Sequence, residues 1–276
     1  EQIDGEAATL EHYSAYPEAS GYLARYLEAD YIRGFLDMIA ALKRTTKIPV
    51  IASINCAESG SWVDYAKQIA AAGADALELN VFFLATDDRS SAAAIEERYA
   101  SIVGAVAEAV SIPVSVKLSP RFTNIHAVLR ALYNRGAKGA TLYNRFFEPD
   151  IVVDEMRLTA SDSLSGPKEL RNVLRDVALS SSLLPPLELS VSTGVHTGDD
   201  VLKCLLAGAT TAQVCTALYL QGTGVIGRMN ERIAQWMDAH GFHSIDQFRG
   251  AMRAELRPDK NDPNGRVQYM RFFPQK

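Results

Sequence analysis

The chain is poor in cysteine, in tryptophan and in unbroken hydrophobic sequence, and it has no block of positive charge. Three cysteines, Cys56, Cys204 and Cys215, stand far apart without CxxC or Cys/His ligand spacing. That arrangement excludes a structural zinc site, and the odd count suits a reducing compartment, so a cytoplasmic location is the expectation. The least charged run, from Tyr99 to Val116, carries Glu108 and is cut by Pro113, so no membrane span is expected. Lys and Arg are scattered, and the formal net charge of -5 offers no broad basic surface for nucleic acid. No secretory leader pattern opens the chain. What remains is a globular protein whose expected partner is a small molecule.

What is present is repetition. Gly73-Ala-Asp-Ala-Leu-Glu-Leu-Asn80, Gly136-Ala-Lys-Gly-Ala-Thr-Leu-Tyr-Asn144 and Gly208-Ala-Thr-Thr-Ala-Gln-Val-Cys-Thr216 each read as a helix stop, a buried strand and a polar terminus. A second pattern places proline where a strand begins, at Pro49, Pro113 and Pro186. Together they define six strands, at 49–55, 76–82, 113–119, 140–145, 187–193 and 211–217. Helices are expected at 61–72, 90–110, 123–135, 167–180, 198–207 and 223–239, with Ser61 and Thr197 as N-caps and Gly73, Gly136 and Gly208 closing their helices. Near-continuous apolar strands alternating with amphipathic helices indicate a parallel sheet covered on both faces.

The expected architecture is α/β, a single (β/α)8 TIM barrel over 1–276, with a doubly wound six-stranded sheet as the competing fold. Six βα units fall short of eight, and the chain opens at Glu1, without methionine and inside what reads as a loop. Two opening strands are therefore expected upstream of Glu1. The connection 146–165 is long and contains the β-like Ile151-Val-Val153, so a small hairpin over the rim is expected. After His240, a helix near 244–254 and a polar tail through Pro258 and Pro263 should follow.

In such a barrel, chemistry sits where the strands end. Lys117 ends an otherwise apolar strand and needs a partner: either an internal carboxylate such as Glu78, or an electron-rich ring or anion on the rim. Thr193-Gly194 and Cys215-Thr216 each lead into a helix, and Ser165-Gly166 opens a third, so their backbone amides are candidates for holding a phosphate. Asn55, Asn80 and Asn144 bring three neutral amides to three strand ends, which suits an amide-rich ring or ordinary turn chemistry. Arg145 is a candidate fork for a substrate carboxylate, or a solvated rim charge. None of the five histidines has a partner constellation.

At Glu78-Leu-Asn-Val81, Val116-Lys-Leu-Ser-Pro120, Leu164-Ser-Gly166, Thr193-Gly-Val-His-Thr-Gly-Asp199 and Gln213-Val-Cys-Thr-Ala-Leu218, the sequence resembles the dihydroorotate dehydrogenase family, from about residue 48 to 220. The resemblance implies an FMN-dependent barrel of pyrimidine biosynthesis that passes hydride from a small molecule to the flavin, and a homodimer. It implies that Asn55, Asn80 and Lys117 contact the flavin ring or ribityl chain. Ser165-Gly166, Thr193-Gly194 and Cys215-Thr216 would enclose the FMN phosphate, and Asn144 would bind substrate. Family members usually have Gly-Gly at 193–194 and Gly-Thr or Tyr-Thr at 215–216.

The departure is the catalytic loop. Where the family has Ser-Cys-Pro-Asn or Ser-Ser-Pro-Asn, this chain has Phe82-Phe83-Leu84-Ala85, with Phe83 at the position of the base and Ala85 at a substrate-binding Asn. A phenyl ring accepts no proton, and general base catalysis contributes roughly 10²–10⁴-fold. The substrate is therefore expected to differ from dihydroorotate unless Thr86, Asp87 or Asp88 takes over. Asp87 and Asp88 read equally as solvated groups or caps of the following helix, and the Phe pair reads as an apolar wall over the flavin. Two alternatives complete the sequence reading: a catalytically silent FMN-binding protein, and a flavin-free phosphate-binding barrel of the isomerase or synthase kind.

Overall fold

The computed structural model describes residues 17–56, 61–145, 149–160 and 164–255. The expected opening loop at Glu1 and the polar tail through Pro258 and Pro263 lie outside the described residues. A helix, α1 (Pro17–Thr45), leads into the first strand. Sequence periodicity had pointed to no helix there. Strands and helices then alternate: β1 (Ile51–Ile54), α2 (Ser61–Ala71), β2 (Ala76–Asn80), α3 (Ala92–Ala109), β3 (Val114–Leu118), α4 (Ile125–Asn134) and β4 (Gly139–Leu142). A hairpin of β5 (Pro149–Val152) and β6 (Arg157–Ala160) follows, then a 3₁₀ turn at Pro167–Leu170 and α5 (Arg171–Leu183). The remaining elements are β7 (Glu188–Val191), α6 (Gly198–Ala207), β8 (Thr211–Ala212), α7 (Thr216–Gln221) and α8 (Gly224–His240).

The main sheet is parallel throughout, in the order β1-β2-β3-β4-β7-β8. Each strand lies beside its predecessor in that succession, and the order never reverses. A doubly wound sheet requires a reversal, so that fold is excluded. This is the sheet of a (β/α)8 TIM barrel, with six of its strands among the described residues and β1 and β8 as the edges.

The two faces of the sheet differ, which corrects the expectation of a sheet clad on both sides. Leu77, Leu79, Val114, Val116, Leu118, Ala140, Leu142, Leu189 and Val191 are buried and join one continuous core with side chains such as Trp62, Tyr99, Leu129 and Val177 from the helices. On the intervening positions stand Ser53, Glu78, Ser115, Lys117, Thr141, Ser190 and Gln213, most of them around one cavity of about 530 Å³ along the barrel axis. Period-two alternation sends one set to the helices and the other to the axis.

Caps hold the units in place. Thr197 accepts from the Asp200 amide while the Asp200 carboxylate returns to the Thr197 amide, and Gly208 ends the same helix at φ 110, where a side chain would be strained. Ser61 is the first residue of α2, and the residues that would establish it as a cap lie outside the described set.

The expected helix at 244–254 does not form; a 3₁₀ turn at Ile245–Gln247 and further turns stand there instead. The amides of Gly250 and Met252 donate to Leu205 and Leu206 oxygens at the end of α6, and the Arg249 guanidinium caps the carbonyls of Ala209 and Thr210. Tertiary acceptors take the bonds that a helix would have used. The last expected strand is also shorter, because α7 begins at Thr216. Among the described residues no helix is long and apolar enough to cross a membrane.

Candidate active site

On the axis side of the sheet, Glu78 is a buried carboxylate at 7 % exposure. It accepts from Ser53 Oγ at 3.1 Å, Thr141 Oγ1 at 2.7 Å and Gln213 Nε2 at 2.7 Å. The far end of the Gln213 amide accepts from Lys117 Nζ at 3.1 Å. The internal partner of Lys117 is thus a neutral amide in place of the expected carboxylate, and Glu78 lies one link further on.

Two residues beyond Glu78 on β2, at the level of Lys117 on β3, the rim begins. Asn144 Nδ2 donates to Asn80 Oδ1 at 2.8 Å, joining two of the three expected amides. Asn80 stands beside Lys117 in the register of β2 and β3. The third, Asn55, is exposed at the end of β1, in a groove with Phe35 and Leu36 of α1. Next to it the Cys56 thiol is buried, and burial pushes its pKa up to about 11, so it is no thiolate base near neutral pH.

Three turns distant in sequence meet on the same rim. Ser165 Oγ lies 2.9 Å from Thr216 Oγ1, the Ser165 amide donates to the same hydroxyl at 3.2 Å, and the Gly194 amide approaches Ser165 Oγ at 3.4 Å. Gly194 has φ 80, and a Cβ there would lie 2.5 Å from the Leu170 backbone nitrogen, so the close approach of two turns requires glycine. Thr193, which also has a positive φ of 81, donates its hydroxyl to the Tyr143 carbonyl at 3.2 Å. A β-branched residue is unusual in that conformation. Cys215 is exposed and caps the short helix α7 without a side-chain bond.

Arg145 does not face open solvent. Its Nε donates to Glu169 Oε2 at 3.0 Å, and Glu169 Oε1 accepts from the Gly166 amide at 2.6 Å. A carboxylate thus already rests on one of the amides read as a phosphate donor, and it reaches back to the residue that precedes the 3₁₀ turn, whose carbonyl accepts from the Glu169 amide.

The loop after β2 is organised differently. Phe83 packs edge-on against Tyr99 of α3, with centroids 5.2 Å apart, and the Arg98 guanidinium covers the ring at 3.7 Å. Tyr99 is buried between sheet and helices and meets Phe122 edge-on in turn. Phe83 therefore belongs to the helix layer, and the expected apolar wall would fall to Phe82, which is 37 % exposed. Asp87 accepts from the amides of Arg89 and Ser90 at 2.7 and 2.8 Å and from Ser90 Oγ. Those bonds hold its carboxyl below the usual aspartate range, which favours its role as a turn group over that of a base. The N-cap of α3 is Ser91, accepting from the Ala94 amide.

Gln213, the link between Glu78 and Lys117, and Glu169 were not among the sequence candidates. A signal existed for the first: polar residues recur at every second strand position, as in Ser53 and Asn55, Glu78 and Asn80, or Thr211 and Gln213. His196 is buried near the turn at Gly194, where its amide donates to Asp200, and its Nε2 has no partner among the described residues. His126 is bonded to Ser180 in the helix layer, away from the rim. Among the described residues there is no cluster of metal-ligating side chains.

The donor set suits a phosphorylated heteroaromatic cofactor such as FMN. Backbone amides and hydroxyls from three turns meet at one point, as a phosphate requires. An ammonium and an Asn–Asn pair stand beside them on adjacent strands, as a ring with carbonyls and nitrogens requires.

The sequence model of the family described as "Dihydroorotate dehydrogenase" matches residues 29–237, which takes in the second half of α1. The chain is 28% identical over 248 residues to a protein of Aeropyrum pernix named "Putative dihydroorotate dehydrogenase A (fumarate)", covering 85% of this chain and 78% of that one. It is 29% identical over 225 residues to the "Dihydroorotate dehydrogenase B (NAD(+)), catalytic subunit" of Thermoplasma acidophilum, covering 79% and 73%. With the protein of the same name from Bacillus pumilus the identity is 28% over 215 residues, covering 73% of this chain and 66% of that protein.

Proposed function

Since this chain belongs to the dihydroorotate dehydrogenase family, we propose that it is an FMN-dependent oxidoreductase that takes hydride from a small molecule other than dihydroorotate. The observation that carries this reading is the meeting of Ser165, Gly194 and Thr216 on the rim that also presents Lys117 and the Asn80–Asn144 pair. When bound, FMN supplies the two-electron acceptor. The turns at Ser165-Gly166, Thr193-Gly194 and Cys215-Thr216 hold its phosphate through backbone amides and hydroxyls. Asn55, Asn80 and Lys117 orient the ring, and the Lys117 ammonium favours the form that carries more negative charge. Asn144 fixes the substrate, and Arg145 reaches a substrate carboxylate when Glu169 releases it.

Phe82, Phe83, Leu84 and Ala85 offer no proton acceptor, and Asp87 is committed to its turn. A substrate whose oxidation needs no strong base from this loop fits the site better than dihydroorotate does. The same observation favours a second reading, a flavoprotein in which FMN is bound without turnover.

The visible spectrum of the purified protein, followed by anaerobic addition of dihydroorotate, tests both. The expected result is an oxidised-flavin spectrum that dihydroorotate leaves intact. Bleaching would show that another group serves as base. No colour after FMN is supplied would overturn the flavin reading. Photoreduction and reoxidation with candidate acceptors then separates an enzyme of another substrate from a silent flavoprotein.

A further inference from the structure

The axis of the barrel carries a polar chain with a fixed direction. Glu78, buried at 7 % exposure, can only accept when ionised, and it does so from Ser53, Thr141 and Gln213. The Gln213 amide must then turn its NH₂ toward Glu78, and Nε2 also lies 3.3 Å from Thr141 Oγ1. Its carbonyl is left facing Lys117, which can only donate. Each end of the chain thus accepts one orientation of the amide between them and rejects the other.

From this we infer that Glu78 is a positioning residue which acts through Gln213 to hold the Lys117 ammonium at the rim, and that the pair tunes the redox preference of the bound flavin. The inference rests on the flavin reading given above. A direct Glu78–Lys117 ion pair would draw the ammonium down into the axis and neutralise it. The neutral relay holds Lys117 by one acceptor and leaves its remaining N–H groups for the rim. Gln213 is also the residue that carries β8 into the turn at Thr216, since its amide donates to the Val191 carbonyl at 2.7 Å. Relay and phosphate turn therefore share one short segment.

The test compares wild type, Glu78→Gln, Gln213→Met and the exchange Glu78→Gln with Gln213→Glu. The readout is the ratio of affinities for reduced and oxidised FMN, taken from the midpoint potential of the bound flavin. A hydrogen bond to a charged group controls roughly a tenfold ratio or more. Glu78→Gln and Gln213→Met are each expected to lower the ratio by about tenfold. The exchange puts the carboxylate directly against Lys117 and neutralises it, so it should recover stability while leaving the ratio as low as in the single variants.

An unchanged ratio in Glu78→Gln, or an exchange variant that returns the ratio to the wild-type value, overturns the inference. Should Glu78→Gln not fold, Gln213→Met decides alone, because Glu78 keeps Ser53 and Thr141. In the flavin-free proteins, melting temperatures must show the exchange recovering stability lost in Glu78→Gln; additive losses also overturn the relay. A wild type that takes up no FMN overturns the flavin reading instead, and the flavin-free melts tell that failure from a failed relay.

Discussion

The turns at Ser165, Gly194 and Thr216 come from three separate βα units and bond to one another, whereas the loop from Phe82 to Ser90 bonds to itself and to the helix that follows it. The first region is built by long-range contacts that only the side-by-side succession of strands brings together. The second is local, with Asp87 serving Arg89 and Ser90 and Phe83 serving Arg98 and Tyr99. A site that binds depends on the first kind of construction. Chemistry on the substrate would depend on the second, where Phe83 is committed to packing and Asp87 to turn bonds.

Gly194→Ala should break the first region most severely. The added methyl meets the Leu170 backbone at 2.5 Å while φ is 80. We expect loss of FMN retention and a stability loss of about 2–3 kcal/mol from overpacking and backbone strain, read by flavin release and urea unfolding. Phe83→Ala should strike the second region and spare the first. Removal of a half-buried ring packed on Tyr99 should cost about 2–3 kcal/mol with FMN affinity unchanged. Reduced FMN affinity in that variant would place Phe83 on the flavin side after all.

A smaller effect sharpens the contrast from the opposite direction. Thr193→Gly relieves a β-branched residue at φ 81 and loses its bond to the Tyr143 carbonyl, so the net stability change should stay within about 1 kcal/mol. FMN binding should be retained if, as proposed, backbone amides hold the phosphate; its loss would assign the Thr193 hydroxyl to the ligand. The smallest effect is expected of Asp87→Asn. The folded-state pKa of Asp87 lies below its ordinary value of 3.8, so its stabilisation is present above that value and lost as pH falls through the lower one. The variant should be slightly less stable than wild type at neutral pH, with a shallower acid dependence that brings the two together below about pH 4.

Much of this molecule was legible in the sequence because its signals are local. Gly208 and Thr197 announce a helix stop and start through their own backbone and side-chain chemistry, and both do so in the structure. The strands between them follow from apolar runs, and Asn80 and Asn144 fall at strand ends that the register brings to one rim. The failures have equally physical causes. The stretch after Ser244 has helical periodicity, yet the carbonyls of Leu205 and Leu206 take its amides. Helix α1 was missed although its C-terminal turn carries Lys43 and Arg44, as a helix end favours.

By itself the sequence determined the alternation of strands and helices and the polar strand ends, since these depend on residue type and spacing alone. Tertiary structure decided which polar groups meet: that Gln213 stands between Glu78 and Lys117, that Glu169 rests on Gly166, and that Phe83 turns to the helix layer. Those contacts join residues up to 135 positions apart. No local pattern encodes such pairings, because they arise only when successive strands are set side by side around a common axis.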